Sequence, residues 1–467
     1  MLRVKASNTE QKFDRNETAA IKRWTVVGIA AIFILLLPQI FVDSQVYARI
    51  ISIAGICLLL WITEIVPPFV PTLLLLALVP LLLANVNSKY GIASVLSWAA
   101  DPVMLLFFGG LVLGVATERT GLDKRLMNFA VQRSGNSYGR FLFLLITITA
   151  VSSMWISNIA AAALVFACLR STLVGMDQND ILRRTALIGV ALGADLGGIA
   201  TPIGTGPNAI AIASISPAHP VSFLSWMAFA LPLTVGLLVT VYLLLCWRTH
   251  GSVHHWTIQN HPATVEEIPV KDAPSLKVFL VILSCTIAAW LLEPFHGIPA
   301  SIVALGTVVI LFASRILRPK DLSRIDWSTL LLIAGGITMG RLLEQSGAVT
   351  ALTANVPLSE LHPVLTLFLL CLTSAALSAL MSNTATVVLL IPLAMTLIPS
   401  PSTAVLVAIA ASFGVPLLIS TPPNAMAFGQ GGVRFGDMFW PGLIIMILGC
   451  VLVTLTGTYV LNLAGIP

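Results

Sequence analysis

The chain of 467 residues is 57% hydrophobic and only 10% charged, whereas a soluble domain carries about a quarter charged residues. That composition excludes a soluble globular protein and points to an all-α, polytopic membrane protein, because at least nine apolar stretches approach the roughly 20 residues that cross about 30 Å of hydrocarbon. The net charge of +5 implies no nucleic-acid partner, because the basic residues prove to be topology signals.

Residues 1–23 are polar, carry Arg3, Lys5, Lys12, Arg15, Lys22 and Arg23, and show no short apolar core or small-residue cleavage site. No cleavable signal peptide is therefore expected, and the segment reads as a cytoplasmic tail. Apolar runs place eleven spans, at 24–41, 47–66, 69–85, 101–117, 181–215, 223–247, 277–293, 298–315, 327–346, 403–429 and 436–462. Two further runs, 140–170 and 361–398, have polar residues near their middle and at their flanks. Each is expected to be a re-entrant hairpin of two half-length helices, which the bilayer allows only where protein or a wet cavity covers the irregular backbone. With a cytoplasmic N-terminus and both runs re-entrant, the segments 1–23, 118–140, 170–184, 248–277 and 315–324 and Arg434 hold 22 of the 25 basic residues on the inside. Only Arg49, Lys89 and Arg341 remain, and a single full crossing by either run would spoil that skew.

The six cysteines, Cys57, Cys168, Cys246, Cys285, Cys371 and Cys450, lie in apolar segments without a CxxC pair, which argues for packing rather than disulfide or zinc chemistry. All seven histidines fall in loops. The group His250, His254, His255 and His261 is irregularly spaced and reads as a solvated linker rather than a metal site.

Three motifs recur in the same order. Gly109-Gly110, Gly114, Glu118 and Gly121 return 226 positions later as Gly335-Gly336, Gly340, Glu344 and Gly347. Ser157-Asn158 returns at 225 as Ser382-Asn383, and Pro207-Asn208-Ala209 at 216 as Pro423-Asn424-Ala425. The first pair lies five crossings apart, so the repeat is inverted. Inverted repeats with interrupted helices are a recurring plan of secondary transporters, with the site between the halves.

The polar islands supply the chemistry. At a hairpin tip, peptide N–H groups without helical partners can hold a carboxylate, and free carbonyls with Ser and Asn oxygens can hold a hard cation such as sodium. In GGIATPIGTGPNA and LLISTPPNA, proline and glycine break the fifth and tenth spans and free Gly204, Thr205, Ser420 and Thr421 as candidate ligands. Neither motif holds Lys or Arg, so a bound anion must be offset by helix dipoles and co-bound cations. Against this stands the packing role of Ser, Thr and Gly in membrane helices; four breaks in symmetric pairs favour a site. Glu64, Glu118, Arg119, Arg341 and Glu344 lie near span ends and read as snorkelling or ion-paired residues. Asp195 is deeper, and both cation or proton handling and a helix-pairing hydrogen bond stay open for it. A membrane hydrolase would need a nucleophile with a base, and no histidine lies in a span. A channel would more often ring subunits around one pore.

From about residue 50 onward the chain resembles the divalent anion:sodium symporter family, on WITEIVPP (61–68), FFGGLVLGVATERTGLDKRL (107–126), the two Ser-Asn motifs, TPIGTGPN (201–208), DWSTLLLIAGGITMGRLLEQSG (326–347) and STPPNA (420–425). The resemblance implies a non-enzymatic carrier of dicarboxylates, citrate or sulfate, multi-pass in a bacterial inner membrane, homodimeric, without an organic cofactor. It implies scaffold helices in 24–100 and 277–326 and a transport domain, moving by an elevator-like shift, in two repeat cores. The first core, 101–247, holds the inner hairpin 140–170 and the broken helix 181–215; the second, 327–467, holds the outer hairpin 361–398 and the broken helix 403–429, and 248–276 is a cytoplasmic linker. It also implies one sodium site at Ser153, Ser157, Asn158 and Gly204, another at Ser378, Asn383 and Ser420, and substrate contacts from Asn158, Thr205, Ser382, Asn383, Thr384, Thr421 and Pro422. Sodium-independent exchange of dicarboxylates is the alternative mode. Two departures stand out: Ile159 follows Ser157-Asn158 where the family has Thr, and Gly206-Pro207 replaces Pro-Pro. One lost hydrogen bond to a carboxylate costs about 1.5–3 kcal/mol, enough to change substrate preference.

Overall fold

The computed structural model describes residues 24–40, 42, 44–63, 65–135, 137–173, 176–215, 219–250, 275–347 and 362–466. The basic tail, Glu64 and most of the 248–276 linker, with His254, His255 and His261, lie outside the described residues.

Among the described residues every regular element is helical. The first half runs α1 (Trp24–Ile40), α2 (Gln45–Thr63), α3 (Phe69–Leu83), α4 (Ile92–Ala99), α5 (Pro102–Thr120), α6 (Leu122–Ser134), α7 (Tyr138–Trp155), α8 (Asn158–Leu173), α9 (Ile181–Gly197), α10 (Gly206–Ile215) and α11 (Phe223–Thr249). The second half runs α12 (Leu276–Leu291), the single turn α13 (Glu293–His296), α14 (Ala300–Ala313), α15 (Trp327–Ser346), α16 (Pro363–Ser378), α17 (Asn383–Leu397), α18 (Pro401–Ala411), α19 (Pro422–Gly429) and α20 (Phe435–Leu463). Five of these, α2, α5, α7, α11 and α20, are long and apolar enough to cross a membrane alone. Helices lie in each of the eleven expected stretches, and both 181–215 and 403–429 are broken. Helices α4, α6 and α13 were not expected.

The repeat is visible in how its helices start and stop. Asp101 accepts the Val103 amide at 2.9 Å to open α5, and Asp326 accepts the Thr329 amide at 3.0 Å to open α15. Both end in a left-handed glycine, Gly121 with φ 67° and Gly347 with φ 69°, a conformation that L side chains resist. The double glycines give each helix two close faces. A Cβ on Gly109 would come 2.7 Å from the Ala304 Cβ on α14, and one on Gly335 would collide with Thr72 on α3. Thr72 in turn donates to the Leu331 carbonyl at 2.9 Å. Thus α5 of the first half packs on a helix of the second, and α15 packs on a helix of the first. The other face of each meets aliphatic side chains: Gly110 meets Ile203, Gly114 meets Ile156, and Gly336 meets Val388 and Ile210.

The runs expected to form hairpins do turn back on themselves, at Ile156-Ser157 between α7 and α8 and at 379–382 between α16 and α17. Their arms hold 18, 16, 16 and 15 residues, about 22–27 Å each at 1.5 Å per residue. They are longer than the half-length arms expected, and α7 is long and apolar enough to cross a membrane alone.

Ion pairs fasten groups of helices at their ends. Asp437 at the start of α20 receives Arg184 of α9 at 2.6 Å and Arg248 of α11 at 2.5 Å. Asp321, before α15, is 4% exposed and meets Arg119 of α5 with both oxygens at 2.8 Å, while Arg324 pairs with Glu118. Burial opposes the Asp321 charge, but the Arg318 amide and the Arg119 and Arg324 guanidiniums outweigh it and hold the carboxyl below the usual range. The stabilisation is therefore complete above the ordinary carboxylate range and is lost as pH falls through the depressed value. Asp321→Asn is expected to lower stability by about 2 kcal/mol, between the surface and buried ion-pair ranges. Thermal unfolding in detergent across pH checks it: the gap between wild type and variant should close as pH drops below about 4.

Candidate functional site

Each hairpin tip is capped by its own serine. The hydroxyl of Ser157 accepts the Ala160 amide at 3.3 Å, and that of Ser382 accepts the Ala385 amide at 3.2 Å. The following asparagine is held by a serine five residues earlier. Ser153 Oγ lies 2.8 Å from Asn158 Oδ1, and Ser378 Oγ lies 2.6 Å from Asn383 Oδ1. Ser153 is also 2.6 Å from the Ala194 carbonyl, so its one proton serves one oxygen at a time. The fold therefore brings Ser153 to Asn158 and Ser378 to Asn383.

The broken helices are braced by Asn208 and Asn424, a role that the Pro-Asn-Ala motif does not announce by itself. After α9 come a 3₁₀ turn, Gly198–Ala200, and an extended Thr201. Asn208 Nδ2 lies 3.0, 3.4 and 2.8 Å from the carbonyls of Gly198, Ile199 and Thr201. Thr201 donates to the Met154 carbonyl at 2.5 Å and the Trp226 indole to that of Ile199 at 3.0 Å. In the second half Asn424 Nδ2 lies 2.9 and 3.1 Å from the carbonyls of Val415 and Leu417 and 3.1 Å from Ser420 Oγ. The recurrence of Pro-Asn-Ala was the available signal for this brace.

Glycine lets the tips seat in the breaks. A Cβ on Gly198 would run into the Asn158 carboxamide, one on Gly204 would stand 2.7 Å from the Gly198 Cα, and one on Gly414 would stand 2.7 Å from both the Ala375 carbonyl and the Ala379 amide. The two halves also touch. The Thr384 hydroxyl sits where a Cβ on Gly206 would approach to 2.7 Å, and Thr421 Oγ1 donates to Asp195 Oδ2 at 2.7 Å. All four polar islands thus converge. Gly206, one of the two departures, makes room for the second tip.

Not every expected ligand is free. Ser420 donates to the Leu417 carbonyl at 2.9 Å and takes the Asn424 amide, so it bonds within its own break rather than to Ser378 or Asn383. Thr421 is 3% exposed and caps Asn424 while donating to Asp195. The start of α19 offers few peptide donors, because Pro422 and Pro423 have no N–H and the Asn424 amide is capped. The remaining donors are at the hairpin tips. Pro422 at the start of α19 is exposed, Thr205 is buried, and Ile159 at the first tip is 44% exposed. Neutral oxygens of this kind suit a hard cation, and among the described residues no Lys or Arg bonds to a tip or break. A cavity of about 230 Å³ lies two turns beyond the Gly206–Thr384 contact, between α10, α15 and α17, with Arg341 and Glu344 in its lining.

A sequence model of a family described as citrate transporter matches residues 58–411 and 362–464. The sodium-dependent dicarboxylate transporter SdcS of Staphylococcus saprophyticus is 26% identical over 85% of this chain and 82% of its own. The Na(+)/citrate cotransporter of Rattus norvegicus is 26% identical over 93% and 95%. The crystal structure of the Alcanivorax borkumensis YdaH transporter aligns with a TM-score of 0.56 over 86% of this chain and all of that one, at 17% identity, which is a likeness of fold.

The seating of Asn158 can be tested without any ligand. Gly198→Ala is expected to cost about 2 kcal/mol through overpacking, whereas Gly340→Ala, which meets nothing within 4 Å, should not destabilise. Equal unfolding midpoints for the two purified variants would show that the tip does not occupy the break.

Proposed function

The chain belongs to the citrate transporter family, and from that premise we propose that it is a secondary transporter of di- or tricarboxylate anions, coupled to sodium and working by an elevator-type shift. The convergence of two hairpin tips and two broken helices into one polar centre carries this reading. Unpartnered N–H groups and hydroxyls at the tips would meet the substrate carboxylates, through Asn158, Thr205, Ser382, Asn383 and Thr384, with Thr421 and Pro422 at the edge of α19. Sodium held by Ser153, Ser157, Asn158 and Gly204, and by Ser378, Asn383 and Ser420, would offset their charge.

The packing supports a division into two bodies. Helix α5 is bolted to α14 and α15 to α3, whereas Arg184, Arg248 and Asp437 join α9, α11 and α20. We therefore assign α5 and α15 to the scaffold with 24–100 and 277–326, and the moving body to α7–α11 with α16–α20. This shortens the two repeat cores at their starts. Between the bodies Gly110, Gly114 and Gly336 lie against Ile203, Ile156, Val388 and Ile210, small and aliphatic surfaces, and the hydrogen bonds of Arg341 to the Ala213 carbonyl and of the Phe223 amide to Glu293 would have to be exchanged in a shift. The arrangement belongs in a bacterial inner membrane with the N-terminus cytoplasmic, as a homodimer. Sodium-independent exchange is the second reading. It is favoured by Ser420, whose hydroxyl is spent inside its own break and so weakens the second sodium site.

Purified protein in proteoliposomes is expected to take up succinate or citrate when driven by an inward sodium gradient; uptake driven only by internal dicarboxylate would select the exchanger. Asn383→Ala should cut uptake at least about tenfold, from bonds worth about 1.5–3 kcal/mol, at unchanged expression. Wild-type uptake in that variant would remove the site. Ile159→Thr should change the ranking of succinate, citrate and sulfate, and an unchanged ranking would mean that the position does not face the anion.

A further inference from the structure

We infer that Asp195 is a further cation site of the transport cycle, built jointly by the two halves, whose carboxylate takes up one monovalent cation when the anion binds. The inference rests on the transport reading for its main readout.

Asp195 lies in α9 just before the first break and is 2% exposed. Its Oδ2 accepts the Thr421 hydroxyl, and its Oδ1 is buried without a partner. A carboxylate can accept about four hydrogen bonds, and a bare one in a membrane interior is costly enough that it pairs or is neutralised. The repeat tests whether the fold itself needs the group. At the 216-residue offset that aligns the two breaks, Gly198 matches Gly414, Thr205 matches Thr421, Asn208 matches Asn424, and Asp195 matches Ala411. Ala411 is fully buried and ends α18 with a methyl group. The same break therefore forms without a carboxyl, so packing does not account for Asp195.

The hydrogen bond shows what the carboxylate does to the site. Thr421 has one hydroxyl proton, already given to Asp195, and one lone pair occupied by the Asn424 amide. While Asp195 stays a free anion, Thr421 has nothing to donate to a substrate, and a second negative charge nearby repels that substrate. A proton on Asp195 reverses the bond: the carboxyl donates to the Thr421 oxygen, and the Thr421 proton becomes free for the anion. A sodium ion on the open Oδ1 acts in the same sense by neutralising the carboxylate. Binding of cation and anion are thereby linked through one shared hydroxyl.

Among the described side chains of the helices packed against α9, no other charge takes over this role. Tyr138 and Arg140 of α7, and Arg248 and Asp437 of α11 and α20, cluster at the opposite end of α9, where Tyr138 meets Leu182 and Thr185 and Asp437 meets Arg184. That end is ten or more residues, at least about 15 Å, from Asp195. Tyr242 and Cys246 lie on α11 within two turns of Arg248, Cys450 faces Cys371, and Tyr459 is exposed. On α8 Cys168 is half-buried, and α19 has no titratable residue.

The test counts charge per transported anion from reversal potentials in proteoliposomes, with pH and sodium gradients varied separately. Asp195→Asn keeps the size of the side chain and should carry one positive charge fewer per anion. Loss of the response to the pH gradient would identify the proton; a response to sodium reduced by one ion would identify sodium. An equal charge count with equal pH and sodium responses overturns the inference. If the variant moves no anion, the comparison passes to the melting temperature of purified protein as pH and sodium are varied: a shift present in wild type and absent in Asp195→Asn supports it, and identical shifts overturn it. A wild type that moves no anion removes the transport reading, and the melting comparison then decides this one alone.

Discussion

Every peptide group released inside hydrocarbon must find its partner within the protein. Two breaks near the centre of the bundle release such groups, and two carboxamides collect them. The Nδ2 groups of Asn208 and Asn424 each sit among three oxygens of their own break, holding irregular backbone as firmly as a helix would. Each carboxamide leaves its Oδ1 buried without a partner, a cost of about 1–3 kcal/mol that the brace must exceed. Once the breaks are rigid, the hairpin tips have something to seat against, and Gly198, Gly204 and Gly414 supply the room.

Charge is distributed to match. The ion pairs of Asp437 and Asp321 lie at helix ends, where water and headgroups share their desolvation, while the centre is built of amides, hydroxyls and carbonyls with the single carboxyl of Asp195. A fixed Lys or Arg there would bind an anion tightly in every state of a cycle and hinder its release. In the proposed cycle the helix dipoles act at all times and the bound cations only while they occupy their sites, which would tie affinity to the ion gradient.

Much of this was legible because the repeat is written in residue types with strict geometric demands. Asp before a helix, glycine at positive φ after it, and Pro-Asn at a break keep their meaning wherever they occur, so paired motifs gave paired structures. Hydropathy was less informative at short range. It registers α4 and α6 weakly because they are too short or too charged to span, and it placed the hairpin turns without fixing the length of their arms. Contacts across the halves were not legible at all. Nothing local in the sequence says that Thr421 turns to Asp195, or that Ser420 bonds back into its own loop, because both follow from how distant helices pack. The exchange of partners by which α5 packs on α14 and α15 on α3 was hidden for the same reason, and with it the boundary of the two proposed bodies.

The departures from symmetry then carry the most information about this particular chain. Residues kept in both halves, the caps, glycines and carboxamides, answer to the bilayer. Among the positions that differ at the centre are Asp195 against Ala411, Ile159 against Thr384, Gly204 against Ser420, and Gly206 against Pro422. Two of these are coupled in space. Thr384 fits because position 206 has no side chain, and a proline ring there would press on its hydroxyl. The first tip presents an exposed isoleucine instead of a hydroxyl. If both tips face the proposed anion, it would meet two hydroxyls, Ser382 and Thr384, at the second tip and only Ser157, beside the exposed Ile159, at the first. That favours an anion whose charge is concentrated at one end, or whose second carboxylate reaches past Ile159 toward the donors of the first tip.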